Sequence, residues 1–246
     1  MKTKWDYSDR AATYDKRANY SDLAINQLLE DLKVSDEHLI ADIGAGTGKL
    51  TIPLLKKNLN VICVEPNKNM REIGISNTKS LNANWIEGTG ERTTLDDNSV
   101  DFVFFGSSFN VLDQDKALLE TKRILKKNGA FACMWNHRDL SDNKQKKIEN
   151  IIKKFIPEYD YGNRRESPVD TINESSLFES VKIIEKNFIV KMSTKDIVKA
   201  WESHETLARQ AKNNFKKIII EIKKLLENDN FHDVPYSTKI WYTHLT

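Results

Sequence analysis

Asp42-Ile43-Gly44-Ala45-Gly46-Thr47-Gly48-Lys49-Leu50 follows the run His38-Leu39-Ile40-Ala41. Together they read as a strand that enters a glycine turn and leaves it as a helix. Gly44, Gly46 and Gly48 remove three side chains where a backbone must approach a ligand closely, and glycine adopts positive φ there without steric cost. A helix starting near Gly48 points its unpaired N–H groups and its positive dipole end at that ligand. The pattern predicts a cradle for a nucleotide-like cofactor.

Outward from the turn, strands alternate with helices. A helical pattern covers Asp22 to Lys33, with Leu23, Ile25, Leu28, Leu29 and Leu32 at helix spacing. Leu50 to Lys57 continues the turn as helix, and Asn60 to Glu65 is a β-branched strand ending in an acid. Pro66 and Asn67 open the next helix, with Met70 and Ile73 on its inner face. Asn84 to Glu87, Val100 to Phe105 and Ala130 to Trp135 are further strands. Asp113 to Lys127 is a helix stopped by Asn128-Gly129. This spacing predicts right-handed βαβ units and a doubly wound, mostly parallel α/β sheet.

Past Trp135 the alternation breaks. Lys144 to Phe155 is an amphipathic helix, and Pro157 to Pro168 an irregular segment holding Tyr159, Tyr161, Arg164 and Arg165. Val181 to Val190 is a strand, Trp201 to Leu226 is mostly helical, and Tyr236 to Leu245 is a last strand. The late pair completes a seven-stranded sheet with an antiparallel last strand, and the helices between them form a cap. We read 1–246 as one domain: 1–35 an N-terminal helical lid, 36–140 the cofactor-binding half, 141–246 the substrate-side cap and sheet completion.

Composition narrows the function classes. Of 246 residues, 39% are hydrophobic and 30% charged, with a net charge of +2. That balance suits an ordinary soluble protein and argues against a nucleic-acid partner. Lysines alternate with acids, as in Lys146-Lys147-Ile148-Glu149, which is the pattern of solvated helix faces. The start MKTKWDYSDR lacks a signal-peptide core, and no apolar run reaches membrane length, so a cytoplasmic protein without a membrane partner is expected. Cys63 and Cys133 sit in strand-like runs and read as buried thiols. No metal-ligand spacing is present.

Four details select among nucleotide cofactors. The glycine spacing is Gly44-x-Gly46-x-Gly48, whereas a dinucleotide turn wants G-x-G-x-x-G. Asp42 lies inside the motif, which suits an amino-acid ammonium better than a pyrophosphate. Glu65 ends the second strand about twenty residues on, placed to accept from both hydroxyls of a ribose. No P-loop Lys-Ser/Thr pair is present.

On these residues the chain resembles the class I S-adenosylmethionine-dependent methyltransferases. It is similar to their small-molecule group through DIGAGTGKL, the pair Glu65-Pro66 and the segment EGTGERTTLDDNSVDFV. The resemblance is strong from Asp42 to Asn136 and thinner beyond. It implies S-adenosyl-L-methionine as cofactor, with Asp42, Gly44, Ala45, Gly46 and Gly48 in the turn that binds it and Glu65 on the ribose. Pro66 and Met70 would lie against adenosine, and Thr89, Gly90 and Glu91 would border the adenine. Gly106 and Ser107 would lie beside the methionine portion. Tyr14-Asp15-Lys16-Arg17 with Tyr20 matches the family's N-terminal lid, so Tyr14 and Arg17 would close over the sulfonium and the methionine carboxylate. Two departures concern the substrate: Asn110-Val111 stands where relatives often carry His-Trp, and Gly90 where they usually have Ala.

Methyl transfer from a sulfonium needs alignment, exclusion of water and, for some nucleophiles, a base. His137, after the fifth strand, is the best-placed base; the competing reading is a rim histidine. Asn136 either hydrogen-bonds substrate or cofactor, or caps the strand end. Asn110, Tyr159, Tyr161 and Arg164 are candidate substrate contacts, against an exposed loop of mixed chemistry. Ser203, with His204, either offers a hydroxyl at a helix start over the cleft or simply caps it. The expected activity is methyl transfer to an oxygen or nitrogen of a small metabolite. Acceptor-free cyclisation of the cofactor with release of methylthioadenosine, a non-catalytic cofactor-binding protein and a dinucleotide oxidoreductase stand as rivals. The sequence does not set the oligomeric state.

Overall fold

The computed structural model describes residues 16–162 and 166–246. Its centre is a seven-stranded sheet of order β3-β2-β1-β4-β5-β7-β6. The strands are β1 (Leu39–Ile43), β2 (Asn60–Val64), β3 (Asn84–Ile86), β4 (Val100–Gly106), β5 (Leu125–Arg138), β6 (Lys182–Ser193) and β7 (Phe231–His244). The first five pair in parallel, and β7 runs antiparallel to both β5 and β6. Strand order reverses direction between β1 and β4, so a crevice opens beyond their carboxyl ends, where α/β sheets hold ligands.

Strand periodicity feeds two cores. Along β4, Phe102 and Phe104 face one side and Val103 and Phe105 the other. The first side packs α1 (Asp22–Asp31) and α2 (Thr51–Leu55); the second packs α4 (Gln114–Ile124) and α6 (Val169–Glu174). The helix α3 (Lys68–Asn77) follows β2. In α1 the buried residues are Ala24, Ile25, Leu28 and Leu29, and Ser21 caps it by accepting the Ala24 N–H. Each fully buried leucine contributes about 1.5–3 kcal/mol. Leu23, counted in the apolar stripe from sequence, lies outside it, 67% exposed. A third core joins the cap helices α5 (Asn143–Phe155), α7 (Thr194–Glu202), α8 (Glu205–Ala211) and α9 (Phe215–Leu226) to the adjoining ends of β6 and β7.

The structure corrects several boundaries. Helix α4 ends at Ile124, because Leu125 turns extended and pairs with Val100. Asn128, at φ 66°, and Gly129 therefore make a turn inside β5 instead of a helix stop. The late helical stretch begins at Thr194, seven residues before Trp201, and breaks in the middle. Ser203 closes α7, and the His204 ring opens α8 by accepting the Leu207 N–H at 3.2 Å, so the two residues do not open one long helix. Helix α6 had no counterpart in the reading of the sequence. Among the described residues no helix is long and apolar enough to cross a membrane.

Candidate cofactor and acceptor site

The glycine turn leaves β1 with Gly44, Gly46 and Gly48 at φ 68°, 60° and 89°. Side chains rarely adopt these angles, so the backbone path itself demands glycine. At Gly44 space adds to conformation: a Cβ would lie 2.5 Å from Ser108 Cβ. The N–H groups of Gly44 and Ala45 donate to Val64 O at 2.8 and 3.1 Å, which ties the turn to the end of β2. That tie brings Glu65 beside the turn. Its Oε2 accepts the Gly46 N–H and its Oε1 the Asn67 N–H, both at 2.8 Å. Burial raises the Glu65 pKa above the ordinary carboxylate range, against the opposing pull of these two N–H groups and Arg71. Asn67 caps α3, and Met70 of its first turn reaches over the glycine turn, Cε 3.3 Å from where a Gly46 Cβ would stand.

Asp42 lies beneath this surface, 0% exposed. Its Oδ2 accepts the Thr51 hydroxyl at 2.6 Å, whereas Oδ1 has no partner. Burial pushes its pKa up to about 7, the Thr51 hydroxyl opposing and the Glu65 carboxylate adding. The sequence reading gave Asp42 a direct contact with an ammonium; here the side chain lies beneath the turn, fully buried.

The other anticipated cofactor contacts lie in the turn after β3 and at and beyond the end of β4. Thr89 pairs with Arg92 across a tight turn. Glu91 Oε1 accepts the Asp113 N–H at 3.1 Å, at the start of α4. Gly90 is buried, and a Cβ there would meet Leu112 Cδ1 at 2.2 Å. Leu112 thus fills the space an alanine would need. Ser107, beyond Gly106 at the end of β4, takes φ 61° and meets the Tyr20 hydroxyl at 2.9 Å. A non-glycine residue held at positive φ beside a cleft is typical of functional sites. Asn110 is buried in a single 3₁₀ turn, its Oδ1 without a partner.

The N-terminal segment from Arg17 to Tyr20 crosses the cleft like a strap. Lys49, next to the glycine turn, donates to Arg17 O at 2.7 Å and Asn19 Oδ1 at 3.1 Å. Asn136, on β5, donates to Ala18 O and Asn19 O at 3.3 and 2.9 Å and accepts the Thr238 hydroxyl at 2.6 Å. Thr238 in turn accepts the Ser21 N–H at 2.8 Å. Asn136 thus commits both amide donors to the strap. Arg17 extends to the cap instead of the turn, its Nε donating to Ser203 Oγ at 2.9 Å. Ser203 is fully buried and serves as that anchor, not as a hydroxyl on the cleft surface. Tyr14 and Arg164 lie outside the described residues.

Beyond the strap the cleft continues between the ends of β5 and β7 and the cap. Tyr161 lines it, while Tyr159 is buried in the cap core with its ring 5.1 Å from that of Tyr161. The pleat puts Asn136 and Arg138 on one face of β5 and His137, opposite Ser237, on the other. His137 lines the cleft and also the neighbouring hollow beside β6. Arg138, Gln145, Tyr236 and Trp201 line the cleft without having been given a site role from sequence. The two-residue period of Trp135-Asn136-His137-Arg138 held the signal for Arg138. The other three come from elements that only tertiary packing brings together. Among the described residues no group of three His, Cys, Asp or Glu could hold a metal ion.

Comparison with known proteins agrees with this geometry. Residues 41–133 match a family model described as a methyltransferase domain. An uncharacterised methyltransferase of Mycobacterium tuberculosis is 33% identical over 137 residues, 54% of this chain and 53% of that protein. The ubiquinone/menaquinone biosynthesis C-methyltransferase UbiE of Zymomonas mobilis is 32% identical over 126 residues, 49% of this chain and 50% of that one. The chain thus spans about half the length of the curated relatives it matches. Among solved structures, the phosphoethanolamine N-methyltransferase 2 of Haemonchus contortus in complex with S-adenosyl-L-methionine shares the fold. Its TM-score is 0.57 at 14% identity, covering 99% of this chain and 58% of that one. Sheet order, glycine turn and the methyltransferase-domain match over residues 41–133 together support a class I S-adenosylmethionine-dependent methyltransferase.

Proposed function

We propose that the protein binds S-adenosylmethionine across the glycine turn and transfers its methyl group to an oxygen or nitrogen of a small metabolite. The observation that carries this reading is the Glu65–Gly46 hydrogen bond. It sets a carboxylate for ribose hydroxyls directly against the backbone that would follow the methionine portion. Three positive-φ glycines keep that backbone bare, and the unpartnered Asp42 Oδ1 adds negative potential beneath it.

S-adenosylmethionine, when bound, would supply a methyl group on a sulfonium, whose transfer to the acceptor would release adenosylhomocysteine. Glu65, Met70 and the glycine turn hold and orient the adenosyl end. The strap, fixed by Asn136, Lys49 and Ser107, closes the cleft against water. In this reading Asn136 is a positioning residue. His137, which also lines the cleft, stands as the candidate base of this reading beside alignment and exclusion of water. Residues 36–140 act as the cofactor half and 141–246 as the acceptor side.

The test is an incubation with S-adenosylmethionine in the presence and absence of a panel of acids, phenols and amines, followed by chromatography of the nucleoside product. Adenosylhomocysteine formed only with an acceptor supports the proposal. Methylthioadenosine formed without any acceptor would replace it with intramolecular cyclisation.

A further inference from the structure

We infer that the open edge of β6 is a contact surface for a second copy of this chain, the two β6 strands pairing antiparallel across a two-fold axis at Phe188.

Strand β6 ends the sheet, and its 12 residues pair with β7 alone. The Thr194 N–H donates to Asn230 O at 3.1 Å, which continues that ladder past the end of the strand. In an antiparallel ladder alternate residues turn both backbone groups to the same neighbour. Even-numbered residues of β6 therefore bond to β7. Ile183, Glu185, Asn187, Ile189, Lys191 and Ser193 turn their N–H and C=O groups to the open edge, where no strand among the described residues meets them. The opposite edge, β3, is only 3 residues long, which is one way a sheet avoids pairing. The long edge of β6 is a template for another strand.

Charge selects both the partner and the register. Edge lysines ordinarily keep strands from pairing at random, and like charges directly opposite are destabilising. A two-fold pairing centred on Glu185 or on Lys186 sets that residue against its own copy. Centring on Asn187 or Ile189 sets no opposite charges face to face within the strand. Centring on Phe188 sets Glu185 against the partner's Lys191, twice over, and Ile184 against the partner's Met192. Both charged groups can meet a partner. Lys191 is exposed, with its ammonium 5.9 Å from the Phe231 ring centroid and no carboxylate at ion-pair distance among the described residues. Glu185 contacts Lys239 at 3.4 Å and accepts the Ser237 hydroxyl at 3.2 Å, yet its side chain stays 48% exposed and has room for a second cation. Ile183 and Ile189, 52% and 68% exposed, lie along the same seam.

Sedimentation of the full chain at micromolar concentration tests this, and the wild type is expected to run as a dimer. Asn187→Pro removes one N–H from the open edge without touching the β7 ladder, so it should weaken association at least tenfold. Lys191→Glu and Glu185→Lys each set like charges across the axis and should do the same. An equimolar mixture of those two variants restores both Glu–Lys pairs and should recover the dimer, a result that no loss of folding produces. Circular dichroism checks that each variant is folded. A monomeric wild type, a dimer that survives Asn187→Pro, or a mixture of folded charge variants that stays monomeric overturns the inference.

Discussion

The carboxylate of Glu65, at the end of one strand, accepts the backbone N–H of Gly46, in the turn after the neighbouring strand, at 2.8 Å. The two residues stand 19 apart in sequence and meet because β1 and β2 pair in parallel with Ile43 opposite Val64. In the proposed reading, one side chain therefore fixes the distance between the segment that would face the ribose and the segment that would face the methionine portion.

Glu65→Gln keeps the shape and one acceptor but loses the charge. Hydrogen bonds to charged groups contribute about 1.5–3 kcal/mol each. Adenosylhomocysteine affinity is therefore expected to fall about tenfold to a hundredfold, read by calorimetry, while the thermal midpoint changes little. Unchanged affinity would remove Glu65 from the site.

Asp42 gives a pH signature. Its carboxyl titrates at about 7 in the folded chain, chiefly through burial, against an ordinary 3.8. The folded state therefore holds this proton more tightly than the unfolded chain does. Its stabilising contribution is complete below the ordinary carboxylate range and is lost as pH rises through about 7. Asp42→Asn, which cannot ionise, should become more stable relative to the wild type as pH goes from 4 to 8, read by thermal melts. Parallel melting curves across that range would contradict the assignment.

Gly90 and Leu112 should behave as a coupled pair. A Cβ at position 90 would fall 2.2 Å from Leu112 Cδ1, so Gly90→Ala forces that side chain aside. Such overpacking costs about 1–3 kcal/mol. Leu112→Ala supplies the missing space, and the double variant should lose less stability than the two single variants summed. A denaturant-unfolding cycle with coupling under about 0.5 kcal/mol would show that the leucine relaxes freely.

Asn136→Leu should release the strap. It strips Ala18 O and Asn19 O of their donor and the Thr238 hydroxyl of its acceptor. Of these groups Thr238 belongs to a fully buried residue, and leaving its hydroxyl unpaired costs about 1–3 kcal/mol. Trypsin should then cut after Lys16 and Arg17 several times faster than in the wild type. Turnover should fall without any change in the shape of the pH–rate profile. Turnover lost while trypsin cuts no faster than in the wild type would restore Asn136 to a role in the chemistry itself.

The sheet and its cofactor edge were legible in sequence because each signal was local. Gly44, Gly46 and Gly48 need positive φ, and Phe102 to Phe105 alternate between two buried faces. The antiparallel pair β6 and β7 was found but drawn short, since pairing between them extends each beyond its most apolar stretch. The start of α7 had a readable signal that went unused: Ser193 and Asp196 form a capping pair, each side chain bonded toward the other's residue. The acceptor side was not legible. Ser203 and Asn136 looked like chemistry because of their residue types, yet folding commits them to Arg17 and to the strap. Arg138, Trp201 and Gln145 converge only through packing of the cap on the sheet, which no local pattern records.

The most direct test of the central claim is a calorimetric titration of the wild-type protein with adenosylhomocysteine, run beside the same titration with a nicotinamide dinucleotide. The glycine turn and Glu65 predict one-to-one binding of adenosylhomocysteine and none of the dinucleotide. Dinucleotide binding without adenosylhomocysteine binding would contradict the assignment of this site.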